Sequence, residues 1–331
     1  MYGFHSMKNP AVFPLEANTG GFTLVSYEEK LGYKTDNIRV EGAELKVGPV
    51  GKSKHPVGGY LRLKHKTGAE YLIFIKAASD ATYWAKNAAG NKTHTYFFKW
   101  LTAPGGGALP REEDPRWPNV CSNPSKDNNG EAMGMNGQHV VLFESDLIDA
   151  NTIEVTGQNP NWFNIGCAGH ALAKLHLSGH TEGAMRDTSA IVDPYETKDH
   201  HRTTYLKAIA GDYCGKGRPF TVAGMPLNWA DIKTYDTGVA GAWMKFANDN
   251  GATPNNLEIE ARWNETGATC LNVPRVDHNI LAVPEGKETY DPMGFASLED
   301  AIAAECKRPD KCVPDDEHDF DKHHIVTANP L

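Results

Sequence analysis

Short runs in which apolar and polar residues alternate recur in the first part of the chain and predict a β-rich fold. A period of two places alternate side chains on one face of a strand, and glycine-containing turns separate most of the runs. The runs are 22–25, 38–40, 44–47, 58–64, 70–75, 95–100 and 139–143. The 32 glycines and 20 prolines of the chain agree with many turns and short strands.

The centre of the chain changes to helical spacing. Apolar side chains in 168–175 and 205–209 recur three or four residues apart, and Gly211 follows the second segment. Strand patterns return at 220–222, 257–263 and 268–271, and residues 297–300 resemble a capping box that opens a helix through Cys306. We therefore predict an α+β, β-rich fold with antiparallel sheets and a few short helices, stabilised by disulfides.

These changes in pattern also suggest how the chain is divided. We predict an N-terminal segment (1–34), a β-rich domain (35–285) and a C-terminal helix with an acidic tail (286–331). The switch from strand to helical spacing suggests two sub-lobes in the domain, 35–150 and 151–285.

Charge and hydropathy exclude two classes of partner. The net charge is −9 and no long basic run is present, so we do not expect nucleic acid binding. No window of 18 apolar residues occurs, so we predict no transmembrane segment. The six cysteines, an even number, favour disulfides and an oxidising compartment. We therefore expect an extracytoplasmic protein (periplasmic, surface or secreted) whose leader has been removed, because the first residues lack an apolar leader core.

One cysteine stands where a helical segment ends. Cys214 lies in the sequence GDYCG at 211–215, and it is either half of a disulfide or a displayed nucleophile. His200 or His201 would be the candidate base for a nucleophile. However, the end of a helix raises a thiol pKa rather than lowering it, and five other cysteines offer partners. These considerations favour a disulfide.

Four parts of the chain carry a resemblance to one family. They are GAEL at 42–45; WFNIGC at 162–167 with ALAK at 171–174; AGDYCG at 210–215 with FT at 220–221 and GMPL at 224–227; and EARW at 260–263 with GATCL at 267–271. Together they resemble the ADYC domain family of exported bacterial proteins, over residues 35–275. The resemblance implies a β-rich, disulfide-bonded exported domain and brings no known activity.

The resemblance also implies a disulfide pairing. Family members carry cysteines after the ALAK segment and nine residues before the motif cysteine, where this chain has Leu175 and Tyr205. Loss of both is expected if those two cysteines bond each other, which would leave Cys167 and Cys214 as partners. Among the many connectivities that six cysteines permit, the remaining pairs would then be Cys121–Cys270 and Cys306–Cys312.

Histidines near the centre of the chain suggest a copper or zinc site. His176 and His180 stand four residues apart, a spacing that places two imidazoles on one face of a helix. Residues 178–179, Ser-Gly, form helices poorly, which weakens this pattern. The other candidate ligands are His170, His200 and His201. Ordinary surface or core histidines are the competing interpretation.

Two acidic segments offer oxygen ligands for calcium. The candidates are Asp127, Asn129 and Glu131 in the first segment, and Asp315, Glu317, Asp319 and Asp321 in the C-terminal tail. Neither segment has the complete calcium-binding loop with its terminal bidentate glutamate, so a solvated acidic loop is the competing interpretation. Calcium and copper are therefore the cofactors to test, and neither is assigned.

No phosphate-binding loop, nucleophile elbow or HExxH sequence is present to indicate a reaction. We expect a non-enzymatic exported accessory or surface protein that acts through binding or assembly, with a protein partner or as a homo-oligomer. The alternatives are an extracytoplasmic protein that binds copper, zinc or calcium and, third, a cysteine-dependent enzyme.

Overall fold

The computed structural model describes the chain in segments. They are 22–65, 67–82, 92–110, 114–115, 117–121, 138–149, 152–168, 171–179, 181, 199–217, 220–221, 227–231, 244–246, 257–274, 302–304, 306–312 and 325–330. The described residues divide into two compact units, those within 1–150 and 156–197 and those within 151–155 and 198–331.

The described segments contain mostly strands. The strands are β1 (Phe22–Glu28), β2 (Lys34–Thr35), β3 (Ile38–Glu41), β4 (Glu44–Val47), β5 (Tyr60–His65), β6 (Glu70–Thr82), β7 (Lys92–Thr102), β8 (His139–Asp149), β9 (Glu154–Cys167), β10 (Leu227–Asp231), β11 (Met244–Phe246), β12 (Leu257–Asn264), β13 (Gly267–Leu271) and β14 (Ile325–Pro330). The helices are α1 (Ala171–Leu177) and α2 (Asp199–Ala210), and Gly105–Gly107 forms a 3₁₀ turn. The predicted β-rich α+β class is confirmed.

The first unit is built on a large sheet. Among its described residues, seven strands follow the order β2-β1-β5-β6-β7-β8-β9, and the neighbours from β2 to β8 pair antiparallel. The β3–β4 hairpin contributes Leu45 and Val47 to the same core as Leu61, Ile73 and Phe98 of the sheet. The alternation that predicted these strands therefore selects the face that is buried.

The second unit contains a smaller sheet, whose central strand is not predicted from the sequence. Its described strands follow the order β11-β10-β14-β12-β13, and each neighbouring pair is antiparallel. Helix α2 packs against β12, β13 and β14. The central strand, β14, is formed by residues of the segment 286–331, for which only a helix and an acidic tail are predicted.

All six cysteines are bonded, but the predicted pairing is wrong. The bonds are Cys121–Cys167, Cys214–Cys306 and Cys270–Cys312, with Cα–Cα distances of 5.5, 5.7 and 4.9 Å. Cys167 is bonded to Cys121 and not to the predicted partner Cys214. The bridge between Asn119 and Lys99 of β7 attaches the segment that contains Cys121 to the same sheet as β9, which ends at Cys167.

The other two predicted pairs, Cys121–Cys270 and Cys306–Cys312, fail for a related reason. The segment that contains Cys306 and Cys312 runs beside β13, where the Leu271 N–H donates to the Asp310 carbonyl at 2.9 Å. Its two cysteines therefore meet two different partners and do not meet each other.

One predicted strand is also wrong. Residues 220–221 are not in a strand, because Thr221 is bonded to the end of α2. Its N–H and its hydroxyl both donate to the Ala210 carbonyl, at 3.2 and 2.8 Å. These contacts satisfy a carbonyl at the helix end that has no partner within the helix. Of the helix predicted from 297 through Cys306, residues 302–304 are helical and 297–301 lie outside the described residues.

Candidate functional site

The GDYCG sequence forms a tight turn at the end of α2, and we call residues 211–217 the Asp212 turn. Gly211 has a φ of 66°, a left-handed conformation that glycine adopts without steric cost. The Asp212 N–H then donates to the Lys207 carbonyl at 2.9 Å. A glycine with left-handed φ just after the last helical residue is a common way to end a helix. The sequence therefore ends the helix where periodicity predicts it.

A buried lysine holds the Asp212 turn to the start of the unit. The Lys207 side chain is fully buried, and its ammonium donates to the carbonyls of Thr152 at 2.9 Å and Gly215 at 3.1 Å. The same ammonium lies 3.3 Å from a Glu154 carboxylate oxygen and 3.4 Å from Asp212 Oδ2. Burying an ammonium is costly unless its donors are matched. Here each donor of Lys207 has an oxygen within reach.

The Asp212 carboxylate is the second half of this ion pair. It is fully buried, and it accepts the backbone N–H groups of Lys216 at 3.1 Å and Gly217 at 2.8 Å. Burial raises the pKa of Asp212 above its ordinary value, although the Lys207 ammonium and the two N–H donors act in the opposite direction. The side chain therefore shapes the turn around itself and faces no open solvent.

Tyr213 ties the same turn to the five-stranded sheet. Its hydroxyl donates to the buried Glu260 carboxylate of β12, and its ring lies 5.1 Å from that of Trp263. The Tyr213 carbonyl accepts the Ala268 N–H of β13 at 3.1 Å. The tyrosine of the motif is therefore a packing and hydrogen-bonding residue of the core.

Cys214 has no thiol to act as a nucleophile, because it is bonded to Cys306. The next residue, Gly215, has a φ of 65°, and a Cβ there would clash with the Thr266 carbonyl in the β12–β13 turn. Asp212, Tyr213 and Cys214 thus bind three different parts of the second unit. The Asp212 turn is a structural joint, and within it Cys214 is half of a disulfide.

His176, the central residue of the predicted copper or zinc site, is a core histidine. It is fully buried on α1, and its ring is stacked on Phe143 with centroids 5.7 Å apart. Its two ring nitrogens are both 2.8 Å from hydroxyls, those of Thr93 and Thr181. Burial lowers the pKa of His176 to about 3, so the ring is neutral. Both nitrogens thus contact hydroxyls, as in an ordinary core histidine, and the copper or zinc site stays a prediction.

The remaining predicted ligands fall in two groups. His200 and His201 lie in α2, where the His201 side chain is half-buried. The candidates that lie outside the described residues are His170, His180, Asp127, Asn129, Glu131, Asp315, Glu317, Asp319 and Asp321. Within the segments described, no three His, Cys, Asp or Glu side chains are grouped to hold a metal ion. A calcium site in the acidic segments stays a prediction.

The first unit contains a buried ion pair that is not predicted from the sequence. The Arg62 guanidinium of β5 donates to both carboxylate oxygens of Glu28 in β1, each at 2.9 Å, and also reaches Glu70 at 3.0 Å. The Arg62 hydrogen bond is the main cause that lowers the pKa of Glu28 to about 2. Glu28 also lines an open cavity of about 500 Å³ beside Tyr33 and Leu109. The sequence shows Arg62 only as a charged residue within an alternating strand. The ion pair with Glu28 can be recognised only when the pairing of β1 with β5 is known.

A second missed cluster joins three strands on the sheet of the first unit. The hydroxyls of Ser79 and Thr95 lie 2.7 Å apart, and each is close to His139 Nδ1, at 3.1 and 3.0 Å. Burial lowers the pKa of His139. The Phe97 ring stacks on His139 with centroids 5.9 Å apart. Register explains the cluster, since Ser79 pairs with Thr95 and Phe97 with His139.

These features define a β-rich, disulfide-bonded protein in which the GDYCG sequence is a buried joint. A family model of the ADYC domain matches residues 61–277, and the chain belongs to the ADYC domain family. The resemblance seen in the sequence is thereby confirmed. No curated protein and no solved structure matches the chain. In the described segments, no helix has the length and apolar character needed to cross a membrane.

Proposed function

We propose that this protein is a non-enzymatic extracytoplasmic accessory or surface protein that acts by binding or assembly. The observation that carries this proposal is the state of its cysteines. All six form disulfides, and two of the bonds fasten the segment 302–312 to the second unit. Structural disulfides persist in oxidising compartments and are rare in the reducing cytosol.

The state of the Asp212 turn supports a role without catalysis. Each residue of the family motif makes a structural contact. Asp212 forms an ion pair with Lys207, Tyr213 a hydrogen bond with Glu260, and Cys214 a disulfide with Cys306. A catalytic group must be within hydrogen-bond reach of a substrate, and these side chains face the protein core. The motif therefore explains how the domain is held together, which supports a role in the binding of a partner.

The test starts from the protein in its native source. Cells are treated with a thiol-alkylating reagent before lysis, compartments are separated, and the mass of the intact protein is measured. We expect a protein outside the cytoplasm with no alkylated cysteine, in a native particle larger than the single-chain mass of 36.2 kDa. Alkylation of the cysteines in the native protein would contradict the oxidising compartment. A native particle of single-chain mass would contradict the assembly role.

Elemental analysis of the same sample tests the metal-binding alternative. Stoichiometric copper or zinc would favour a site among the central histidines other than His176, whose two nitrogens are engaged. Stoichiometric calcium would favour the acidic segments. Metal below one equivalent per chain would leave the binding or assembly role as the better account.

A further inference from the structure

The last strand of the chain occupies the centre of the five-stranded sheet. Strand β14 pairs with β10 over four register positions, Asn228↔Ala328 to Asp231↔Ile325, and with β12 from Leu257↔Pro330 to Trp263↔Ile325. Both ladders are antiparallel. Without β14, the facing edges of β10 and β12 would each present a row of unpaired backbone groups, which is the condition under which a sheet accepts a strand from another chain.

The contacts of β14 are those of a core element. Ile325, Val326, Thr327 and Ala328 are each at most 2% exposed. The Trp263 indole N–H donates to the Thr327 hydroxyl at 2.9 Å. A strand that binds in this way is recognised by its own side chains as well as by its backbone. The sequence that fits the groove between β10 and β12 is therefore that of residues 325–330.

Strand β14 is separated from the preceding described residues by a longer stretch of sequence than the strands of a hairpin are. Strands β12 and β13 are joined by the two residues between Asn264 and Gly267, and such a turn forces them to pair within one chain. Strand β14 follows the last bonded cysteine, Cys312, after the twelve residues 313–324. Twelve residues span up to about 40 Å when extended. That length is enough for β14 to enter the sheet of its own chain or that of a second copy.

We propose that β14 is an exchangeable strand through which two copies of this protein assemble. Each copy inserts residues 325–330 between β10 and β12 of the other, while the Cys270–Cys312 bond keeps the start of the connection on its own β13. Such an exchange reproduces every β14 contact of the single chain, so its cost is limited to the connection and to association. This inference names the partner and the element for the proposed assembly role.

The experiment uses two full-length chains with different tags, each with one substitution. Glu258→Cys is made in the first chain and Asn329→Cys in the second, because these residues are direct partners in the β12–β14 ladder and Glu258 is exposed. The chains are co-expressed and oxidised mildly. A disulfide between the two tags forms only if β14 of one chain lies beside β12 of the other, since opposed residues in antiparallel strands are within bonding distance.

The matched control places the same substitutions in a tight hairpin. Lys64 and Glu70 are direct partners in the β5–β6 ladder, which a short turn keeps within one chain. Chains carrying Lys64→Cys and Glu70→Cys should therefore give no linked pair above the level of random collision. The unsubstituted protein supplies a measurement that needs no new cysteine, because light scattering should give twice the 36.2 kDa of the single chain.

A linked pair at least fivefold above the control, together with a dimeric mass, is the expected result. A monomeric mass at all concentrations would overturn the exchange. So would a dimer that shows no link between residues 258 and 329, because such a dimer forms through another surface. In that last case the proposed assembly function survives. The proposed assembly function is contradicted by a different result, a native particle in the source with the mass of a single chain.

Discussion

Replacement of Lys207 by methionine tests whether the Asp212 turn holds the second unit together. Methionine keeps most of the length and apolar volume of the side chain and removes the ammonium. The substitution takes away the donor of the Thr152 and Gly215 carbonyls and leaves the fully buried Asp212 without its cation. We expect a large loss of stability with no loss of packing volume.

The magnitude follows from the burial of both partners. Removal of one member of a buried ion pair costs about 3–5 kcal/mol, because the other charge stays buried without compensation. Asp212 can relieve part of this cost by taking up a proton, since burial already raises its pKa. The loss should therefore be smaller at pH 5 than at pH 8. Lys92→Met is the matched control, because Lys92 is 63% exposed and lies 3.8 Å from Asp80. An exposed pair of this kind contributes roughly 0–1 kcal/mol.

Urea unfolding with intact disulfides measures the effect. With a slope of about 2–3 kcal/mol per M, the Lys207 variant should lose roughly 1–2 M in the midpoint of the transition that reports on the second unit. The double variant Lys207→Met/Asp212→Asn should recover part of the loss, because it removes the buried charge as well. Equal midpoints for the Lys207 and Lys92 variants at pH 8 would refute the view that this pair holds the turn.

Three further results follow from the same contacts. The pKa of His176 is about 3 in the folded protein and 6.5 in the unfolded chain, so between these pH values only the unfolded chain is protonated at His176. The unfolding free energy should therefore drop by roughly 1.4 kcal/mol for each pH unit below 6.5. His176→Gln should remove most of this slope, which acid titrations followed by circular dichroism measure. Glu28 behaves in the same direction at lower pH, with stability that is complete above 4.5 and lost as pH falls towards 2, and Glu28→Gln should flatten that part of the curve. Gly215→Ala should lower the melting temperature much more than Gly51→Ala, because both glycines have positive φ but only at Gly215 would the new Cβ meet a backbone carbonyl; similar losses for the two would show that the clash is absent.

The parts of the fold that depend on neighbouring residues could be predicted. Alternation in β5 and β6 and the glycine after α2 give the elements and their ends, because strand faces and helix ends are encoded locally. The β12–β13 hairpin is predicted for the same reason, since Asn264 and Gly267 bracket a two-residue turn.

The parts that depend on distant residues could not be predicted. Cys214 and Cys306 are 92 residues apart, and nothing near either one specifies the other. The spacing of His176 and His180 suggests metal, yet Thr93, 83 residues away from His176, occupies one of its nitrogens. A short strand after an acidic stretch gives little signal by itself, so β14 becomes evident only when the strands beside it are known.

The GDYCG sequence is a structural joint, which a disulfide closes to the segment that contains Cys306. The disulfide pairs can be measured by digestion without reduction, after blocking of free thiols, and mass spectrometry of the linked peptides. The expected linked pairs are Cys214–Cys306, Cys121–Cys167 and Cys270–Cys312. A blocked, unpaired Cys214 or a Cys167–Cys214 peptide would show that the joint is not closed in this way.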